Sequence, residues 1–352
     1  MPIRFQARHA LPVAVALAVL TACAEQPKTI APPPPPPVPS VMLSPQLVEM
    51  ASAYRRYLGA ATAITPVFTD GPGVAGALRQ GATYEPQQLT KGAIAYGAIV
   101  ALQDPAFVAG VRVYARDPAQ RRQVVHELLK DPAYAVGLAG SQTAASHVIA
   151  ALGGDAQRLY DAGKQVKQAA YDIQKQPWSR GEVAGRDARL AGAKSLSAAA
   201  MSGDANETAR LQHASTGGSP FDAAAAQAAA PPYTPTVIRS LALAALAVLG
   251  EAGDANLETV MGLVVEPNIG SCMNFSKLNL YQCLAVARPH YEDVFCLGQH
   301  AMMDTGRCMI RAAGLPEPHE PRFVPDASSI ARGMPAKKAP AKAPAKKPAK
   351  KS

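Results

Sequence analysis

Residues 84–103 read "YEPQQLTKGAIAYGAIVALQ". Leu89, Ala93, Tyr96 and Val100 fall at i, i+4, i+7 and i+11. That spacing gathers apolar side chains on one face of an α-helix. Glu85-Pro86 opens the run: a carboxylate can accept backbone N–H bonds at a helix start, and proline is pre-set for the first turn. Working outward, Ser44-Pro45 and the Asp-Pro-Ala triplets at 104, 117 and 131 carry the same signal. Spacings of 13 and 14 residues between the triplets predict short helices in succession. The flanks of the triplets do not match one another, so they read as repeated capping rather than as a solenoid array.

The same period continues down the chain. A longer helix is expected from Asp155 to about Gln176, with Leu159, Val166 and Ile173 at heptad spacing, ended by Pro177-Trp178. "SLALAALAVLG" (240–250) is the most apolar stretch of the body. It is too short to cross a bilayer and reads as a core helix. Residues 202–236 are rich in Gly, Ser and Ala and read as a mobile low-complexity insertion. With 5 % aromatic residues and few β-branched runs, the chain is expected to be all-α. Its Ala-rich multi-helix domain would comprise residues 43–201 and 237–320.

Residues 1–22 have three parts. Arg4 and Arg8 precede "LPVAVALAVL" (11–20), and small residues lead to Cys23. A positive start, a ten-residue apolar run and a small-residue end make a secretory signal. Leu20-Thr21-Ala22-Cys23 resembles the lipobox of bacterial lipoproteins. In that family the cysteine is lipidated and the leader is cut just before it. The resemblance implies a diacylglycerol and an acyl chain on Cys23, and so a membrane partner. Each buried methylene contributes roughly 0.8 kcal/mol, and two chains anchor stably where one does not. Ala24 stands where lipoproteins kept in the inner membrane usually carry Asp, so the resemblance places the protein at the outer membrane, facing the periplasm. Residues 23–42 would link anchor to body. "APPPPPPVP" (31–39) enforces polyproline II, a stiff spacer on the order of 50 Å over residues 24–40.

Four more cysteines, Cys272, Cys283, Cys296 and Cys308, lie within 37 residues. In an oxidising compartment they are expected to form two disulfides that staple the C-terminal helical part. Two connectivities carry an argument. The stretches from Cys272 and from Cys296 resemble each other loosely as half-repeats, which favours the sequential pairs Cys272–Cys283 and Cys296–Cys308. The positions are also nearly symmetric about Pro289, and a helical hairpin turning there would nest the pairs as Cys272–Cys308 and Cys283–Cys296. The sequential scheme is preferred, and it requires Cys272 and Cys296 to lie in loops that fold back. Zinc is not expected, because its sites favour cysteines two to four residues apart. No metal or cofactor is therefore assigned.

The formal charge of +9 is misleading. The leader's two arginines and the seven lysines of the tail account for all of it. Those lysines are Lys337, Lys338, Lys342, Lys346, Lys347, Lys350 and Lys351. Residues 321–352 hold too few large apolar residues to form a core and read as a disordered basic tail. The export signal takes the chain away from nucleic acid, so peptidoglycan or lipopolysaccharide is the nearer polyanionic partner. The chain contains no G-x-S-x-G, H-E-x-x-H or P-loop. It reads as an envelope lipoprotein with a binding or structural role. The rival reading is a hydrolase-like envelope enzyme using His290, Glu292, Asp293, His300 and Asp304. An enzyme would gather His290, Glu292, His300 or Asp304 in a concave pocket, whereas a scaffold would leave them scattered.

Overall fold

Helix starts organise the body. In a computed structural model, which describes residues 38–217 and 229–319, thirteen α-helices and no strand occur among the described residues. They are α1 (Pro45–Thr62), α2 (Gly71–Ala82), α3 (Pro86–Ala101), α4 (Pro105–Arg112), α5 (Pro118–Lys130), α6 (Ser141–Ile173), α7 (Arg186–Ala198), α8 (Ala205–Ser215), α9 (Pro235–Val248), α10 (Leu257–Val260), α11 (Pro267–Val286), α12 (His290–Cys296) and α13 (Thr305–Ala312). The expected caps are in place. Ser44 Oγ accepts from Gln46 N, the Glu85 carboxylate from Gln87 N and Gln88 N, Asp104 from Phe107 N, and Asp117 from Ala119 N. Asp131 also caps, but the turn it opens is a 3₁₀ helix (Pro132–Gly137) rather than an α-helix. The chain must reach the left-handed Gly140 within nine residues, which leaves no room for more.

The two most apolar stretches sit at the centre. Leu241 to Leu249 on and just after α9 are all buried, and α3 is buried from Gly92 to Ala101. The two helices pack on each other, with α1, α6 and α11 around α3 and the α4–α5 region against α9. None of the described helices is by itself long and apolar enough to cross a membrane. The linker expected to run to residue 42 meets the body at that residue: Met42 N donates to Ala247 O at 2.9 Å, and Leu43 after it is buried.

Three expectations need correction. The long helix does not begin at Asp155 but at Ser141. The apolar face already runs through Ala144, Val148 and Leu152, all buried, so the helix continues through Gly153-Gly154, and Leu315 packs where a Gly153 side chain would stand: a Cβ there would lie 2.3 Å from Leu315 Cδ1. The expected insertion at 202–236 contains α8, whose Leu211 is fully buried, and the start of α9 at Pro235. Finally, the disulfides are nested. Cys272 pairs with Cys308 (Cα–Cα 5.8 Å) and Cys283 with Cys296 (Cα–Cα 5.6 Å). Cys272 and Cys283 both lie within the unbroken α11. Eleven residues at 1.5 Å rise hold them roughly 16 Å apart along that helix, beyond the reach of a bond. The chain reverses at Ala287-Arg288-Pro289, and the return path runs through α12, a π-helical segment (Leu297–Asp304) and α13.

The return path seats closely on α6. A Cβ on Gly298 would stand 2.5 Å from Lys167 N, so only glycine allows this backbone approach. Ser276 of α11 donates to His300 O at 2.6 Å, and Tyr84, Ser276 and Thr305 share a buried cluster of hydroxyls. The disulfides therefore close a hairpin that also carries α12, one wall of the cleft described next.

Candidate functional site

A cleft of about 350 Å³ opens between α2, residues 183–193 and α12. Its walls are built by local rules. Asp70 caps α2 by accepting from Gly73 N at 2.8 Å. The stretch before α7 is held to the hairpin turn, where Val183 N donates to Arg288 O at 2.8 Å. Gly185 then turns the chain into α7 at φ +65°, a left-handed position that favours glycine. No side chain caps α7, and Asp187 places a carboxylate in its first turn, where negative charge is favoured.

Arg189 is the central group. Its guanidinium donates to Asp293 and to Leu284 O, and to Ala287 O at 3.3 Å. Arg186 donates to Ala285 O and Ala287 O, both at 2.9 Å. Together the two arginines satisfy the orphan carbonyls at the end of α11, where cations are favoured. The Arg189 side chain is only 8 % exposed, and its Nε–H has no partner. Burial pushes the Asp293 carboxyl above the usual carboxylate range, against the pull of Arg189. His290 lines the cleft with its imidazole against Gly71, and its ring lies 6.2 Å from that of Trp178. On the opposite wall Arg79 is exposed and makes no ion pair among the described residues. The remaining wall is small and apolar, including Ala75, Leu78, Ala188 and Ala193. Such a set can donate hydrogen bonds and hold negative charge; no hydroxyl or thiol lines it.

The structure divides the expected His290–Asp304 region. His290 and Asp293 line the cleft, but Glu292, His300 and Asp304 do not. Glu292 accepts from Arg288 N at 2.8 Å and so closes the start of α12. His300 Nδ1 lies 2.7 Å from Asp304, which also accepts from Gln299 at 2.9 Å. The π-helical turn brings both i+4 and i+5 partners onto one carboxylate. No group of three His, Cys, Asp or Glu side chains suited to a metal occurs among the described residues. Cys23 and the tail lysines Lys337, Lys338, Lys342, Lys346, Lys347, Lys350 and Lys351 lie outside the described residues. Arg79 and Arg189 were not singled out from the sequence: the partner of Arg189 is 104 residues away, and the only local signal is the Gly185 turn before it.

Lys277 is the second buried chemical group. Its Nζ donates to Ala82 O at 2.7 Å and Ser197 Oγ at 2.8 Å, and sits 3.5 Å from the centre of the Tyr84 ring. A serine and an amine at this distance could be a nucleophile and base. Here the Ser197 hydroxyl is buried and lies 2.7 Å from Ala193 O, and neither Ser197 nor Lys277 lines the cleft, so the pair is structural. Burial draws the Lys277 pKa well below that of a free lysine, opposed by the charge of Glu85. Unfolding lets the amine take up a proton, so this contribution is full above the ordinary lysine value of about 10.4 and is lost as pH falls through the folded value. Lys277→Met should therefore flatten the rise of stability with pH. At neutral pH the variant should match wild type within about 1 kcal/mol or exceed it, because the cost of burying the amine is removed along with its hydrogen bonds. Urea denaturation of both proteins at pH 6, 8 and 10 checks this, and parallel pH profiles would contradict it.

Compared with protein-family models, with curated proteins and with solved structures, the chain matches none.

Proposed function

We propose that the chain is a lipid-anchored protein of the bacterial envelope, at the outer membrane and facing the periplasm, whose helical body binds a ligand rather than turning it over. The observation that carries this reading is Leu20-Thr21-Ala22-Cys23 at the end of a positively started, ten-residue apolar run. Two disulfides among the four body cysteines support export, because such bonds persist in oxidising compartments. The polar lining of the cleft supports binding: two arginines, one histidine and a carboxylate already engaged by Arg189. The proline-rich linker would hold the body away from the lipid. The lysine-rich tail would contact anionic peptidoglycan or lipopolysaccharide through charge alone.

The test is metabolic labelling with a radioactive fatty acid. Wild type should carry label and sediment with membranes. Cys23→Ser should lose the label and either become soluble or retain its leader. Label on the Cys23→Ser chain would contradict the proposal.

A further inference from the structure

We infer that the outward face of α11 is the interface of a two-fold dimer, its occupant a second copy of this chain. No exposed residue of α11 is charged; the single charged residue of its twenty, Lys277, is buried. The other long helix differs: α6 exposes Arg158, Asp161, Lys164 and Asp172. On α11 the exposed residues Ser271, Phe275, Leu278, Gln282 and Ala285 recur at spacings of four, three, four and three. That is the seam along which one helix packs on another. Phe275 is 65 % exposed and Leu278 47 %, and Val286 at the end of the seam is 75 % exposed. A charge-free stripe with an aromatic residue has the composition of an interface core, not of a solvated helix side.

The face fits its own copy. In a two-fold pair each surface meets itself, so any charge near the axis would face its like. The exposed side of α11 brings no such charge. Its longer polar side chains are the amides of Asn274, Asn279 and Gln282. An amide both donates and accepts, so it can bond its own kind, as neither a carboxylate nor an ammonium can. With two antiparallel α11 helices crossing at Leu278, Leu278 meets Leu278, Ser271 lies opposite Ala285, and Asn274 lies opposite Gln282. Small residues meet small ones, and amides meet amides. Disulfides from Cys272 and Cys283 tie α11 to α13 and α12, so little ordering is needed on association. At 1.5 Å per residue the helix is about 30 Å long. That is a short contact against the roughly 800 Å² per partner of a standard interface, so the dimer is a reversible one.

The experiment is sedimentation velocity of the full chain in detergent, over an about hundredfold range of concentration. A shift from monomer to dimer is expected. Leu278→Lys and Leu278→Glu each set like charges across the axis and should weaken association on the order of tenfold or more. Circular dichroism should not change, because the position is exposed. Mixed in equal amounts, the two variants should associate again, since opposite charges then meet. Leu278→Cys should join to its own copy on oxidation, with the Cys272–Cys308 and Cys283–Cys296 bonds intact by non-reducing peptide mass spectrometry. Gln165→Cys, on the exposed side of α6, should not. Monomer at every concentration, a dimer that survives both charge variants, or a mixture that stays monomeric would overturn the inference. So would a bond from position 278 to a different protein in whole cells in place of a second copy. Fatty-acid labelling at Cys23 reads out separately, so failure of the dimer leaves the anchor standing.

Discussion

Cys272→Ala combined with Cys308→Ala is expected to lower the free energy of unfolding by about 4 kcal/mol by the chain-entropy relation for a closed loop. The pair spans 36 residues. The Cys283–Cys296 bond closes only 13, and its removal should cost about 3 kcal/mol by the same relation. Chemical denaturation of the two double variants measures both. A larger loss for the shorter loop, or a loss below about 1 kcal/mol for the longer one, would contradict the nested arrangement as the staple of the hairpin. The outer bond also matters to the cleft. It ties α13 to α11, while the return path lies against α6 through Gly298 and carries His290 and Asp293 on α12. Loss of the staple should therefore broaden the Trp178 emission response before the remainder of the body unfolds.

Asp155→Ala is the second large effect. Asp155 is buried in the middle of α6 and accepts from Arg55 Nη1 at 2.7 and 2.6 Å on its two oxygens. Arg158 also donates to it. The Arg55 guanidinium lies 5.0 Å from the centre of the Tyr96 ring, and its Nε is 3.5 Å from Glu207. The Arg55 guanidinium of α1 thus meets α3, α6 and α8, and Asp155 is its buried counter-charge. Removing it leaves Arg55 partly buried without its main counter-charge, a change that costs about 3 kcal/mol when one partner of a buried pair is lost. Replacing both partners, as Arg55→Met with Asp155→Leu, should recover most of that loss, because no charge is left stranded. A double variant less stable than Asp155→Ala alone would show that shape rather than charge governs the site. Thermal unfolding of the three variants decides between them.

Helix starts were legible because they are local: Ser44, Glu85, Asp104 and Asp117 each bond to an N–H two or three residues on. The core was legible for the same reason, through the apolar periods of α3 and α9. The start of α6 was placed too late, at Asp155: the buried face already runs through Ala144, Val148 and Leu152, and Asp155 is the buried partner of Arg55, 100 residues away. The cysteine pairing turned on whether α11 is continuous, and half-repeat similarity pointed the wrong way. Continuity follows from Glu266-Pro267, where the Glu266 carboxylate accepts from Asn268 N and Ile269 N. That is the signal used at Glu85, and it starts the helix five residues before Cys272. The cleft was only partly visible. His290 stood among the residues named, but the partner of Asp293, Arg189, is distant in sequence and close only in the fold.

On the proposed reading the anchor at Cys23 would decide where every other property operates, since export would set the redox state of Cys272, Cys283, Cys296 and Cys308 and would bring the lysine tail within reach of envelope polyanions. The most direct measurement is the mass of the N-terminal peptide of protein purified from membranes. The account expects a peptide beginning at Cys23 that carries a diacylglycerol thioether and an N-linked acyl chain. A peptide beginning at Met1, or one in which Cys23 keeps a free thiol after cleavage elsewhere, would contradict it.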